Sequence, residues 1–535
     1  MNNVIYSPLE DYEAKFKNLH SENVKVFFDE LVKKSNVNIE ENRSTVKEYE
    51  NQKEILKKLK RKFNFFRFLR VLMIITLILL PLVFLKMTPK IRAMRSEIEE
   101  KNKKNDELLS LAYSQMLPLN SLFTSRDCLA LIEKTVPLIS FEERFSREQE
   151  ADMIINYDFQ ERMDTQQSAL DLLSGRYNGN PFLFENKLIH TMGMETYHGY
   201  KTIYWTEHYT DSEGKSRTRT RSQTLHATLE KPKPFYNTQV VLHYGAQGGP
   251  ELSFSRDASH LERKSERQIE RIVKRGEKRL KKMTDKAIKK NDDFVSMSNT
   301  DFEVLFDALD RTNEVQFRTL FTPLAQTNMV DLILSKSGYG DDFNFFKENR
   351  MNKIVSNHSQ NRELIILPSA YTSYEYDVIE RNFTEKNNEY FKSVYFDFAP
   401  LFAIPVYQER PVHSLKPLPD FSRLYSAKES EVLANAVDYK YLVHPSTKTK
   451  AIIKTGFIKS DNDSDETCIT AYSYDIIRRT DYVSVYGGDG RLHSVPVDWD
   501  DYIPLEQTNN FFITNTDSPR SEFAIASKNG LCITN

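Results

Sequence analysis

Fifteen residues from Val71 to Leu85, of which only Thr76 and Pro81 are not strongly apolar, constrain this chain more than any other stretch. A helix of that length covers about 22 Å, short of the ~30 Å hydrocarbon core of a bilayer. Its N-terminal flank closes the gap. Phe65, Phe66, Phe68 and Leu69 extend the apolar surface backward, while Arg67 and Arg70 can run their stems along lipid and place their heads at the interface. Clustered cations on both sides separate this reading from a buried core helix, and no small-residue cleavage site follows the stretch as a signal peptide would require. The sequence therefore predicts one membrane-spanning helix over 64–86, its ends marked by Phe65, Arg67, Arg70 and Val71 on one side and Leu85 and Lys86 on the other. Seven Lys/Arg in 56–70 against four in 86–100 predict a single-pass protein of the cell membrane with a cytoplasmic N-terminus and residues 87–535 on the far side.

Around this stretch the chain is near neutral, with 74 Lys+Arg against 76 Asp+Glu, so no whole-molecule field recruits nucleic acid or anionic lipid. Three cysteines, Cys128, Cys468 and Cys532, lack metal or redox spacing, and neither a metal site nor a cofactor is expected. Before the span, Tyr12, Phe16, Leu19, Val26, Phe27 and Leu31 recur at helical spacing, and a second helical stretch runs from Ile39 through Lys62. After it, Ile91, Met94, Ile98, Leu108, Ala112 and Met116 lie near heptad spacing with Asn105 on the same seam. The helices at 9–36 and 89–116 are thus candidates for pairing with a second copy of the chain. The seam's alternative use is packing on its own soluble domain.

Further on, helical segments at Arg126–Lys134 and Gln166–Leu173 lead into a β-rich region from Pro181 to Gly245. Lys201–Thr210 and Arg217–Glu230 read as strands joined by the turn residues Asp211 to Ser216. Symmetric closure of that turn puts Ile203, Trp205 and Tyr209 on one face and Arg217, Arg219 and Arg221 on the other, and a slip of one residue reverses the assignment. Residues 261–290 carry thirteen Lys/Arg and five Asp/Glu on a helical apolar stripe. Arg271, Lys274, Arg275, Lys278, Arg279 and Lys282 form its candidate face for an anionic lipid or protein partner, the plainer reading being a solvated face.

From Asp301 helices and strands alternate: a helix to Arg311, a strand at Val315–Leu320, a helix from Thr322-Pro323 through Leu334, a strand or hairpin in Phe343–Val355, a strand at Glu363–Leu367 and a helix at Asp377–Val394. Prolines from Pro400 to Pro419 mark a domain boundary, and short strands with one helix, Ala427–Ala436, follow. The predicted class is α+β. It comprises an N-terminal helical segment (1–63), a transmembrane helix (64–86), a juxtamembrane helix (87–118), an α+β domain (119–408) and a smaller β-rich domain (409–535).

Thr300-Asp301-Phe302-Glu303, Val315-Gln316-Phe317-Arg318 and Phe321-Thr322-Pro323-Leu324 resemble motifs of uncharacterised bacterial membrane proteins grouped as a domain of unknown function. Gly179-Asn180-Pro181 leading into strands fits the same layout, and the likeness covers roughly 165–370. It implies a membrane-tethered α+β domain and brings no activity or catalytic residue. The chain departs from that pattern in showing one span where a pair is expected and in inserting the basic helix.

Local chemistry is sparse. Gly214-Lys215-Ser216 lacks the first glycine of a phosphate loop and reads as a turn; Asp461, Asp463 and Asp465 lack the turn glycine and final glutamate of a calcium loop. Gly487-Gly488-Asp489-Gly490 reads as a hairpin turn, and His190, His198, His208, His226 and His243 are scattered among strands without ligand spacing. The function expected is a membrane-anchored, non-enzymatic interaction or scaffold module. The alternative is a tethered hydrolase using Asp498, Asp500 and Asp501, which requires those carboxylates to converge in a pocket.

Overall fold

A computed structural model describes residues 5–75, 87–160, 164–210, 212–290, 294–411, 425–461 and 464–514. In chain order the first helices are α1 (Lys17–Ser35), α2 (Ile39–Ile75), α3 (Thr88–Asn120), α4 (Asp127–Thr135) and α5 (Arg147–Tyr157). Strands β1 (Ile139–Phe141), β2 (Gln167–Tyr177), β3 (Asn180–Thr210), β4 (Ser216–Gly245) and β5 (Ser253–Arg256) are followed by α6 (Glu266–Lys290), α7 (Thr300–Phe306), α8 (Glu314–Leu320) and α9 (Pro323–Leu334). The rest comprises β6 (Phe343–Glu348), β7 (Met351–Ser356), α10 (Tyr376–Phe402), α11 (Ala427–Ala436), β8 (Ile452–Asp461), β9 (Ser464–Tyr486) and β10 (Leu492–Thr514). The class is α+β, as expected. The chain forms two compact units, a helical one (residues 10–137 and 365–395) and a sheet-containing one (1–9, 138–364 and 396–535).

The helical unit is built from both flanks of the apolar stretch. Val24 and Phe28 of α1 share a core with Met116 and Leu119 of α3, Leu131 of α4, and Tyr371, Tyr376, Ile379 and Phe383. His20 is buried, stacked on Phe391 at 4.0 Å, with its ring nitrogens 2.9 Å from Thr135 Oγ1 and 3.3 Å from the Asn387 carbonyl. Asn42, fully buried at the start of α2, donates to the Tyr374 carbonyl and accepts from the Tyr376 amide. α2 and α3 run antiparallel. Thr45 accepts from Gln115, Glu48 meets Lys104 at 3.0 Å, and Lys90 lies 4.1 Å from the Phe66 ring centroid.

His20 and Asn42, which precede the predicted span, are thus hydrogen-bonded to groups at 135, 374–376 and 387, which follow it. Of the positions at helical spacing in 9–36, Tyr12 and Phe16 are buried, Leu19, Phe27 and Leu31 are half-buried and Val26 is exposed; on the seam Ile91, Ile98, Ala112 and Met116 are buried.

Among the described residues no helix is long and apolar enough to cross a membrane. Of the predicted span, residues 76–86, including Leu85 and Lys86, lie outside the described ones. Phe65, Arg67 and Val71 are exposed on α2 and Arg70 is half-buried.

The sheet-containing unit has a seven-stranded antiparallel sheet in the order β1-β2-β3-β4-β7-β6-β5 and a three-stranded sheet β10-β9-β8. β3 and β4 form one hairpin of 31 and 30 residues, roughly 100 Å of strand. Thr210 pairs with Ser216 and Tyr209 with Arg217, one residue away from symmetric closure of the six-residue turn. Directly opposed residues share a face, so Arg217, Arg219 and Arg221 stand beside Tyr209, Glu207 and Trp205. Glu207 accepts from both Arg219 and Arg221. The far end of this hairpin packs on the β9–β10 hairpin through Ile203, Leu225, Ala227, Val495 and Val497. Gly199 permits the approach, since a Cβ there would lie 2.1 Å from the Pro496 carbonyl oxygen.

Other segments differ from expectation for identifiable reasons. Gln166–Leu173, read as helical, is mostly β2, held between β1 and β3 with a register shift between Ala169 and Asp171. Val315–Leu320, read as a strand, is helical in α8 because the Asn313 side chain accepts from the Gln316 amide and caps it. Glu363–Leu367 is irregular. α11 and β8, which follow the expected boundary at 408/409, pack on β2, with Ser168 donating to the Ile453 carbonyl.

Two outcomes follow from the helical unit. Asn42→Leu leaves the Tyr376 amide buried without its acceptor and should destabilise the chain by about 1–3 kcal/mol in denaturant unfolding; an unchanged midpoint would show that the two flanks are not joined there. Burial lowers His20 to about 4 against an unfolded value near 6.5, with the Asn387 hydrogen bond opposing the shift. The unfolded chain therefore binds the extra proton first, so the stabilisation is complete above pH 6.5 and is lost as pH falls from there to about 4. Thermal midpoints across that window should drop less steeply in His20→Gln than in the unsubstituted chain.

Candidate functional site

Strand alternation explains why ionisable groups gather beneath α11. Phe182 and Phe184 on β3 point to one face, where both pack edge-on to Phe398 at 5.0 and 5.5 Å. Leu183, Glu185 and Lys187 point to the other. On that second face His243 of β4 is paired in register with Leu183 on one side and with Lys353 of β7 on the other. Ala169 of β2 is opposite Lys187. Lys428 and Glu431 of α11 and Lys454 of β8 complete a cavity of about 470 Å³, walled also by Phe159, Asp164 and Glu348.

Glu185 is the hub. One carboxylate oxygen accepts from Lys428 Nζ at 2.7 Å and the other from His243 Nε2 at 3.0 Å. Burial alone would raise its pKa; Lys428, the histidine hydrogen bond and Lys187 outweigh burial and hold it well below the carboxylate range. Burial dominates at His243 and lowers it to about 4, the Glu185 hydrogen bond opposing. The imidazole is thus neutral at pH 7. Because a carboxylate only accepts, Nε2 carries the proton and Nδ1 keeps its lone pair. Nδ1 is buried and, among the described residues, has no hydrogen-bond partner.

The four lysines differ. Lys428 and Lys454 are ion-paired with Glu185 and Glu431, each at 2.7 Å. Lys187 donates to the neutral Gln167 Oε1 at 2.7 Å, and its pKa is lowered by burial, with Glu185 opposing and the charges of Lys428 and Lys353 adding to the shift. Lys353 has no ion pair among the described residues. Glu431 accepts the Ala169 amide and is raised by burial against the pull of Lys454. The site therefore combines an oriented neutral imidazole with two ammonium groups that lack a carboxylate of their own.

The positions singled out from sequence fall elsewhere. Arg271, Lys274, Arg275, Lys278, Arg279 and Lys282 are exposed on α6, and only Arg279 is ion-paired among the described residues, to Asp307 at 3.4 Å. The stripe behind them packs inward through Leu280 and Ala287, with Gly276 against Val304. A larger cleft of about 880 Å³ lies between α6 and residues 309–318, but its central Arg311 is already bound to Glu303 and Glu314.

Asp498 and Asp501 sit on opposite faces of β10, bonded to Thr480 and Arg479 respectively. By strand alternation Asp500 shares the face of Asp498, so the three carboxylates do not lie on one face. Gly214 and Gly490 occupy hairpin turns at positive φ. Asp461 pairs with Ser464, and residue 463 lies outside the described ones. Among the described residues no trio of His, Cys, Asp or Glu is placed to hold a metal. His198 and His226 do meet, at 2.9 Å, as an exposed pair.

Of the cavity's residues only His243 had been noted from sequence. The available signal was Glu185 and Lys187 alternating with Phe182 and Phe184 inside a strand. No known family matches the chain, and no curated protein or solved structure is similar to it. The likeness carried by Thr300–Glu303 and Phe321–Leu324 rests on those short motifs alone. Here Glu303 is a buried partner of Arg311, and Thr322 caps α9 by accepting from Ala325.

The Glu185–Lys428 pair can be tested directly. Lys428→Met leaves a buried carboxylate short of its cation and should cost about 3–5 kcal/mol in denaturant unfolding. Adding Glu185→Gln should recover part of the loss, and strict additivity would show that the two are not coupled.

Proposed function

We propose that the chain is a membrane-anchored interaction module held at the bilayer by the apolar stretch Val71–Leu85, with both flanks, the antiparallel hairpin of α2 and α3, on one face of the bilayer. The observation that carries this reading is the joint core of α1, α2, α3 and α10. From Phe66, where α2 meets Lys90, nine more residues of α2 rise about 13 Å. Only twelve residue steps separate Ile75 from Met87, and α3 then runs back antiparallel to α2.

The charges support the same reading. Eleven Lys/Arg surround the stretch, seven before it and four after. A one-way crossing makes that near balance awkward, whereas two flanks on the cytoplasmic face both satisfy the preference for cations there. α3 begins with Lys90, Arg92 and Arg95, which disfavours a second full crossing. The exposed cations of α6 add a surface suited to an anionic lipid or protein partner.

Expressed in cells, the full chain should stay with carbonate-washed membranes, and replacing Val71, Leu72, Leu77 and Leu79 by Ser should release it. Cysteines introduced at Glu54 and Glu99 should both be labelled by an impermeant maleimide from the same side of sealed vesicles, judged against the unsubstituted chain. Labelling from opposite sides would refute the hairpin.

A further inference from the structure

Burying ionisable groups on one sheet face is unfavourable unless each finds a partner. Glu185 has two. Three other groups in the same cavity are left short: Lys187 has only a neutral amide, while Lys353 and the Nδ1 lone pair of His243 have no partner among the described residues. The two lysines stand on strands flanking His243, and Lys353 is its register partner. An oxyanion would answer both ammonium groups, and a hydroxyl beside it would answer the imidazole nitrogen, which as a neutral acceptor calls for a donor.

We propose that this cavity binds a small organic oxyanion carrying a hydroxyl group, its carboxylate or phosphate lying between Lys187 and Lys353 and its hydroxyl donating to His243 Nδ1. Glu185 and Lys428 do not contact the anion; they hold the imidazole in the tautomer that accepts. At about 470 Å³ the space falls within the ordinary range for small-molecule sites and excludes a macromolecule. The proposal is independent of how the chain meets a membrane.

Calorimetric titration of the purified full chain decides it, using citrate, L-malate and glycerol 3-phosphate beside their analogues without hydroxyls, tricarballylate, succinate and propyl phosphate. At least one hydroxylated probe should bind, and its analogue should bind about tenfold more weakly or worse. The carboxylate and phosphate arms distinguish the two anion types. Lys353→Met should lower the affinity by a similar factor while leaving the ligand-free unfolding midpoint unchanged or higher, since no ion pair is lost. Absence of binding by all three hydroxylated probes, equal binding of a probe and its analogue, or undiminished binding by Lys353→Met would each overturn the proposal.

Discussion

The helical core that joins Val24 and Phe28 to Met116, Leu119 and Phe383 controls how the whole chain can be disposed. It draws together residues far apart in sequence, on both sides of the one stretch apolar enough to meet a bilayer. Nonpolar burial supplies most of the attraction. The buried polar contacts of His20 and Asn42 make the arrangement specific, because an alternative docking would leave their partners unsatisfied. Once that core forms, the direction of the chain through the apolar stretch is no longer a free choice.

In the sheet-containing unit the governing principle is the two-residue period of a strand. The same run that sends Phe182 and Phe184 into an aromatic core sends Glu185 and Lys187 to the opposite face, under α11. Charge there is tolerated because Lys428 and Lys454 neutralise Glu185 and Glu431 from above. Burial keeps His243 neutral on that face.

Elements with strong local signals were legible in the sequence. α11 matches its expected bounds at Ala427 and Ala436, α4 lies within one residue of its expected bounds, and the turn chemistry of Asp211–Ser216 located the long hairpin. Failures came where long-range pairing overrode local preference. The Ala169–Leu173 run has good helix formers but is recruited by β3, and Val315–Leu320 has strand-like residues but begins at the Asn313 cap. The cavity left no motif because its residues come from six strands, a helix and a loop spread between 159 and 454.

The helical unit also imposes an order on synthesis. α1 and α2 are made early, yet α10, which covers their apolar faces, begins roughly 290 residues after Leu85. At typical translation rates of ~5–20 residues per second, that separation lasts on the order of 15–60 s. During that interval Val24 and Phe28 leave the ribosome without their α10 partners, and Val71–Leu85 emerges before that core can form. The apolar stretch is therefore available to lipid or a chaperone well before the core that fixes its two flanks can close.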